Sequence, residues 1–143
     1  MPYLFDASSI ILAMKLKKIG VLAGNCIQSL TIYEVLNALW KESSVLKKIG
    51  SREAENLVDV FAQLLRYLNT IDVRGVEGRV FRTAMETSLT VYDASYLVLA
   101  QREGLTLVTE DAKLRKMAGE TVKAVSFIKL TQTQKRGSTE NMQ

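Results

Sequence analysis

Asp6, Glu34, Asp93 and Asp111 lie far apart along the chain, yet each falls in the same local setting. A short hydrophobic stretch leads into the acid and a helix-like pattern leads away from it, in YLFDASSI, SLTIYEVLNALW, LTVYDASYLVLAQ and LTLVTEDAKL. If those stretches are strands of a parallel α/β sheet, the four handovers converge on the edge outside the strands' carboxyl ends, where ligands bind. Carboxylates gathered there repel one another unless something positive lies between them. A hard divalent cation such as Mg²⁺ or Mn²⁺ is the natural occupant, because it prefers carboxylate and water oxygens.

The rest of the composition narrows the chemistry by exclusion. The 143 residues contain no histidine and one cysteine, Cys26. That removes Ser-His-Asp and Cys-His catalysis, histidine acid–base nucleases, and His- or Cys₄-liganded zinc within the chain. Acid–base work falls to carboxylates, Lys, Tyr or metal-bound water. The formal charge of +4 leans toward a polyanionic partner. With 48% hydrophobic and 24% charged residues, the composition is that of an ordinary globular domain. No apolar run approaches the roughly 18–20 residues that span a bilayer, so no membrane role is expected. The start MPYLFD lacks a basic region before an apolar one, and a lone cysteine forms no internal disulfide, so a cytoplasmic location is expected.

The elements that must position the acids follow from periodicity. Tyr3–Phe5, Cys26–Ser29, Thr70–Val73, Leu105–Val108 and Val122–Phe127 read as strands. Helices are expected after Ser8 or Ser9, from Thr31 past Trp40 to Lys47 or Lys48, from Ser51 to Leu68, from Val76 to Thr87, from Tyr92 to Arg102 and from Ala112 to Met117. Leu57, Val58, Phe61, Leu64, Leu65 and Leu68 keep the spacing of a single buried face. Strands alternating with helices over short connections imply an α/β fold, a parallel sheet covered on both faces. Residues 1–130 read as one domain and 131–143, TQTQKRGSTENMQ, as a polar flexible tail. Trp40, Tyr92 and Tyr96 are expected in or near the core, and Cys26 as a buried strand residue.

Each acid also has an ordinary structural occupation. Thr31-x-x-Glu34 fits a capping box and Thr90-x-x-Asp93 its shorter relative, Asp111 fits an N-cap, and Asp6 fits an Asx-turn. Such caps contribute about 0.5–2 kcal/mol and need no metal. Capping does not explain why charged residues stand at all four places when Ser, Thr or Asn would cap without repulsion.

In this combination the chain resembles the PIN-domain nucleases, most closely the small single-domain toxins of the VapC type, over residues 2 to 127. LFDASSI is similar to the family's opening D-x-S element and YEVLNALW to its second. YDASYLVLAQREGLTLVTEDAKL resembles the D-x-x-Y-L-x-L-A stretch followed by L-V-T-x-D. The resemblance implies a three-layer α/β/α fold with a central five-stranded parallel sheet. It makes Asp6, Glu34, Asp93 and Asp111 the catalytic and metal-site acids, supported by Ser8, Thr109 and Asn37. Some relatives carry a further acid after the last aspartate, where this chain has Lys113 and Leu114; Glu110 is expected to point elsewhere.

The activity so implied is endonucleolytic hydrolysis of RNA, dependent on one or two Mg²⁺ or Mn²⁺ ions. Lys113, Arg115 and Lys116, just past Asp111, are the expected substrate-binding residues. A VapB-type antitoxin and a second copy of the chain are the implied partners. A housekeeping RNA-processing nuclease and a catalytically idle RNA- or protein-binding module are the alternatives. An adjacent antitoxin gene separates the toxin from the housekeeping enzyme, and binding without cleavage marks the idle module.

Overall fold

The computed structural model describes residues 2–119 and 121–141, with side chains described through Lys135. Among the described residues, five short strands form one parallel sheet: β1 (Tyr3–Phe5), β2 (Cys26–Gln28), β3 (Asn69–Ile71), β4 (Thr106–Val108) and β5 (Ala124–Val125). Their order is β3-β2-β1-β4-β5. β1 pairs with β4 through Tyr3 and Thr106, Leu4 and Leu107, Phe5 and Val108, and with β2 through Leu4 and Cys26. The strand order reverses direction between β1 and β4, which makes the edge above those two strands the switch point of the sheet.

Both faces of the sheet are covered, and the side-chain alternation of a strand assigns residues to each. Leu4 and Leu107 face one layer, with Val80, Leu97, Leu99 and Leu114. Phe5 and Val108 face the other, with Ile10, Ile27, Val35, Leu39, Phe61 and Phe127. The first layer is built by α4 (Glu77–Thr87), α5 (Val91–Glu103) and α6 (Ala112–Ala118). The second is built by α1 (Ala7–Lys15), α2 (Ser29–Trp40), α3 (Ser51–Leu64) and α7 (Phe127–Asn141). This is the three-layer α/β/α arrangement expected from the alternating pattern.

Several boundaries differ, each for a local reason. α1 is capped by Asp6, whose side chain accepts from Ser9 N, and not by Ser8 or Ser9. α2 starts at Ser29, because Gln28 and Thr31 form the capping box; Glu34 therefore sits in the helix body and takes no part in it. Past Trp40 the helix widens into a π turn at Lys41–Val45. α3 stops at Leu64, and a 3₁₀ turn at Leu65–Tyr67 lets Leu68 enter the core from an extended backbone. β3 runs one to two residues earlier than expected and β5 is shorter. Residues 131–141, expected as a flexible tail, continue α7, with Leu130 buried just before them.

Asp93 follows no strand. It lies in the first turn of α5, which comes after α4 in the long crossover from β3 to β4. α5 ends at Gly104 in the left-handed region, φ 64°, with Leu105 N–H bonded to Ala100 O at 2.8 Å. That Schellman-type stop turns the chain directly into β4. Because α5 feeds the start of β4, its own first turn is returned to the carboxyl edge of the sheet. Asp93 thus reaches by a returning helix the edge that Asp6 and Asp111 reach directly from strands and Glu34 from within α2.

Trp40 is 57% exposed and Tyr92 60%, so neither belongs to the core, whereas Tyr96 is fully buried. Cys26 is half-buried in β2. Among the described residues no helix is long and apolar enough to cross a membrane. Phe5 is wholly buried between Asp6 and the second layer. Phe5→Ala should cost about 3–5 kcal/mol, read as a lower urea midpoint with unchanged slope; a loss under 1 kcal/mol would mean that β1 is not anchored through this ring.

Candidate active site

A cavity of about 760 Å³ opens at the switch point, and Asp6, Glu34, Asp93 and Asp111 all line it. Ser8 and Asn37 line it too, together with Ala7, Ile11, Leu12, Ala38 and Tyr96. Four segments far apart in the sequence therefore meet in one hollow. Among the described residues, no three acidic side chains already stand in the close arrangement that holds a metal ion. They share the space without being drawn together.

Asp6 is the most enclosed of the four, 8% exposed, and the most fully bonded. Its Oδ1 accepts from Ser8 Oγ at 2.7 Å and from Ser9 N at 3.0 Å, and its Oδ2 from the Thr109 hydroxyl. Those donors are themselves held. Glu110 N–H donates to Ser8 Oγ at 3.1 Å and Asp111 N–H to Thr109 Oγ1 at 3.1 Å. The loop after β4 is thereby bolted to the loop after β1. Asp111 caps α6, accepting from Lys113 N at 2.9 Å and Leu114 N at 3.1 Å through Oδ1 alone.

Glu34 is oriented by a one-way chain of hydroxyls. Gln28 N–H donates to Thr31 Oγ1 at 3.2 Å, and Thr31 Oγ1 lies 2.7 Å from the Tyr96 hydroxyl. The Tyr96 hydroxyl donates to Glu34 Oε1 at 2.6 Å. Since the phenol has one proton and gives it to the carboxylate, Thr31 must donate to the tyrosine oxygen. Tyr96 comes from α5 and Glu34 from α2, so this chain stitches the two layers together beside the cavity.

The electrostatics record a mutual burden. Burial pushes the Asp6 carboxyl up from its ordinary range, against the opposing pull of its hydrogen bonds from Thr109, Ser9 and Ser8. Burial raises Glu34 likewise, Tyr96 counters it, and the charges of Asp6 and Asp93 raise it further. Asp93 is raised by burial, then by Asp111 and Asp6, with Lys113 partly relieving it. Burial and the bond to Glu34 keep the Tyr96 phenol protonated. Glu34 and Asp93 thus each feel two other acids, the sign of a site that gains from a cation. The donor set consists of oxygens, with neither imidazole nor thiolate, which suits a hard divalent ion.

Comparison with known proteins decides the family. The PIN domain family model matches residues 4–120. The chain belongs to the PIN domain family. Two curated relatives come from Pyrobaculum aerophilum. Exonuclease VapC9 is 39% identical over 85 residues, 59% of this chain and 60% of that protein. Ribonuclease VapC3 is 33% identical over 85 residues, 59% of this chain and 64% of that protein. The match therefore spans less than two thirds of the length of either. The crystal structure of PAE2754 from Pyrobaculum aerophilum is 33% identical with a TM-score of 0.74, covering 91% of this chain and 86% of that one. A toxin-antitoxin complex from Klebsiella pneumoniae, 20% identical with a TM-score of 0.61, shares the fold over 87% of this chain and 97% of that one.

The basic residues of this PIN domain fall into two groups around the cavity. Lys113, Arg115 and Lys116 do not line the cavity. Arg115 is committed to the backbone, donating from Nη1 to Thr109 O at 2.7 Å, and so braces the β4 loop. Lys113 stands near enough to Asp93 to ease its charge. The basic residues that do line the cavity are Lys15 and Lys41, which the motifs did not single out. Glu110 lines the cavity as well, but its Oε1 accepts from Phe127 N at 2.7 Å. Tyr96, expected only to pack, is the partner of Glu34.

Three carboxyls bind protons more readily in the folded PIN domain than in the unfolded chain. The metal-free protein should therefore lose stability as pH rises from the ordinary carboxyl value of about 4 through the raised values, and level off above them. Asp93→Asn removes one of the repelling charges while leaving the Thr90 cap, which accepts from the residue-93 backbone N–H, in place. In EDTA at neutral pH it should stabilise the fold by about 0.2–1 kcal/mol in urea titration. A destabilised variant would refute the mutual repulsion.

Proposed function

We propose that this chain is a metal-dependent endoribonuclease of the VapC type, the toxin of a VapBC-like pair, acting on RNA in the cytoplasm. One observation carries the reading: Asp6, Glu34, Asp93 and Asp111 line a single cavity at the sheet's switch point, where the charges of the others raise Glu34 and Asp93. The names of the relatives, a ribonuclease and an exonuclease, point to the same chemical class.

In this reading Asp6, Asp93 and Asp111 hold one or two Mg²⁺ or Mn²⁺ ions, with Glu34 engaging directly or through water. A bound ion supplies a polarised water for attack on the phosphodiester and neutralises charge developing on the phosphoryl oxygens. The chain's own contribution is preorganisation. Ser8, Ser9 N–H and Thr109 fix both oxygens of Asp6, with Oδ1 accepting two hydrogen bonds and Oδ2 one, so that Oδ2 keeps acceptor capacity. Tyr96 fixes one oxygen of Glu34 and leaves the other available. The α6 cap uses only one oxygen of Asp111. Asn37 stands on the cavity wall, and its amide is suited to a ribose hydroxyl or a phosphate oxygen.

Partners fit the surface. Tyr33, Leu36 and Trp40 leave an exposed apolar stripe on α2, the kind of surface a VapB-type antitoxin would cover. Phe81 and Met85, one turn apart on α4 and 60% and 71% exposed, are suited to pairing with a second copy of the chain.

Cleavage of a covalently closed RNA circle in Mn²⁺ should be lost on adding excess EDTA and in Asp6→Asn, with far-ultraviolet circular dichroism unchanged. Undiminished cleavage in either case rules out the metal role; trimming of linear RNA with circles left intact rules out internal cutting. Tyr96→Phe should weaken Mn²⁺ binding by about 10–100-fold in calorimetry, the usual consequence of losing a group that orients a ligand. Equal affinity would show that the phenol only packs.

A further inference from the structure

The cavity has a second end. Its walls are two helical stripes: Ala7, Ser8, Ile11, Leu12 and Lys15 on α1, and Glu34, Asn37 and Ala38 on α2, followed by Lys41 and Glu42 in the π turn. Both helices leave the acidic edge and run away from it side by side. From Asp6 to Lys15 the rise is about 13 Å, and from Glu34 to Lys41 about 10 Å, at 1.5 Å per residue. The hollow is therefore a groove, acidic at the switch point, apolar along Ile11, Leu12 and Ala38, and basic where Lys15 and Lys41 close it.

At that far end Lys15 Nζ lies 2.7 Å from Glu42 Oε1. As a structural strut this contact is poor. The side chains are 40% and 22% exposed, the setting in which an ion pair contributes little to stability. Glu42 Oε2 is buried and, among the described residues, has no hydrogen-bond partner. A carboxylate recruited only to tie two helices would use both oxygens, since an unpaired buried one carries a desolvation cost. The π turn, with Leu46 N–H bonded to Lys41 O at 2.9 Å, is what turns Glu42 across to α1. Such turns recur at functional sites.

Resting on the nuclease reading, we propose that Lys15 and Lys41 form a phosphate subsite which holds a flanking phosphate of single-stranded RNA, and that Glu42 occupies Lys15 until RNA displaces it. The chemistry of the groove fits a single strand. One phosphate meets the acids and their cation, a ribose or base lies over the apolar floor, and a neighbouring phosphate is neutralised at the lysines. Glu42 acts as a stand-in anion. It neutralises Lys15 in the free protein, and it taxes the affinity for RNA. An acidic peptide could satisfy the lysines but would gain nothing from the apolar floor between the two charged ends.

The discriminating experiment uses opposite signs. Lys15→Gln, Lys41→Gln and Glu42→Gln are each built on Asp6→Asn, so that RNA is bound without being cut. Affinity for a short fluorescein-labelled single-stranded RNA of mixed sequence is followed by anisotropy in Mn²⁺ as salt is varied. Both lysine variants should weaken binding about two- to fivefold and flatten the logarithmic salt dependence by about 0.7 each. Glu42→Gln should tighten binding. Lys129→Gln, outside the cavity, should leave it unchanged. If the Lys15–Glu42 contact were merely a strut, Lys15→Gln and Glu42→Gln would shift affinity in the same direction, and that result overturns the proposal. So does an unchanged salt slope, or binding of polyglutamate in place of RNA. The two readings fail separately: lysine-dependent RNA binding by a chain whose native form never cuts RNA removes the nuclease but keeps the subsite, while Mn²⁺-dependent cutting with lysine-independent affinity does the reverse.

Discussion

The fold is organised around an unfavourable interaction, the repulsion between carboxylates held partly out of water at one edge of the sheet. Nothing in a hydrophobic core asks for Asp6 to be enclosed or for Glu34 and Asp93 to sit within reach of its charge. The structure meets this with directed donors. Ser8, Ser9 and Thr109 surround Asp6, Tyr96 serves Glu34, and the first turn of α6 serves Asp111. These bonds orient the acids without cancelling their charges, since most of the donors are neutral hydroxyls and amides. The residual repulsion is a standing affinity for a cation.

The same bonds join the elements. Thr109 and Ser8 tie the loop after β4 to the loop after β1, where those two strands diverge. Tyr96 and Thr31 tie α5 to α2 across the sheet. Gln28 extends the second tie by donating to Ser95 Oγ at 2.8 Å. The polar groups that orient the acids are therefore also the connectors between the two helical layers. The placement of the four acids and the tertiary geometry are set by one network, so loosening either loosens both.

Much of this was legible in the residues. Alternating strands and helices gave the layered sheet, and the four acids were singled out by an apparent handover from strand to helix, which holds for Asp6 and Asp111 while Glu34 lies within α2 and Asp93 follows no strand. What escaped had specific causes. Thr31-x-x-Glu34 matches a capping box, but Gln28 took the cap and Thr31 became its reciprocal partner. Local spacing cannot tell which of two polar residues starts a helix. Tyr96 sits in an apolar run where its ring would suffice, and its hydroxyl acquires a role only because α2 crosses nearby. Trp40 looked like core because it ends an apolar stripe, yet the helix turns it outward. Lys15 carried a visible signal, being on the same helical face as Ile11 and Ala7. Its partner Glu42 did not, because the π turn that presents it has no sequence signature.

One further contact reaches beyond the pocket. Glu110, adjacent to Asp111, accepts from the Phe127 backbone N–H that opens the final helix. That helix is seated in the second layer through Phe127 and Leu130 and runs to Asn141. The reactive loop and the carboxyl-terminal arm are thus levers on one fulcrum. A fused tag or a protein gripping that arm would pull on the loop that carries Asp111 through this carboxylate and through β5, whose Val125 carbonyl accepts from Thr109 N–H at 3.0 Å.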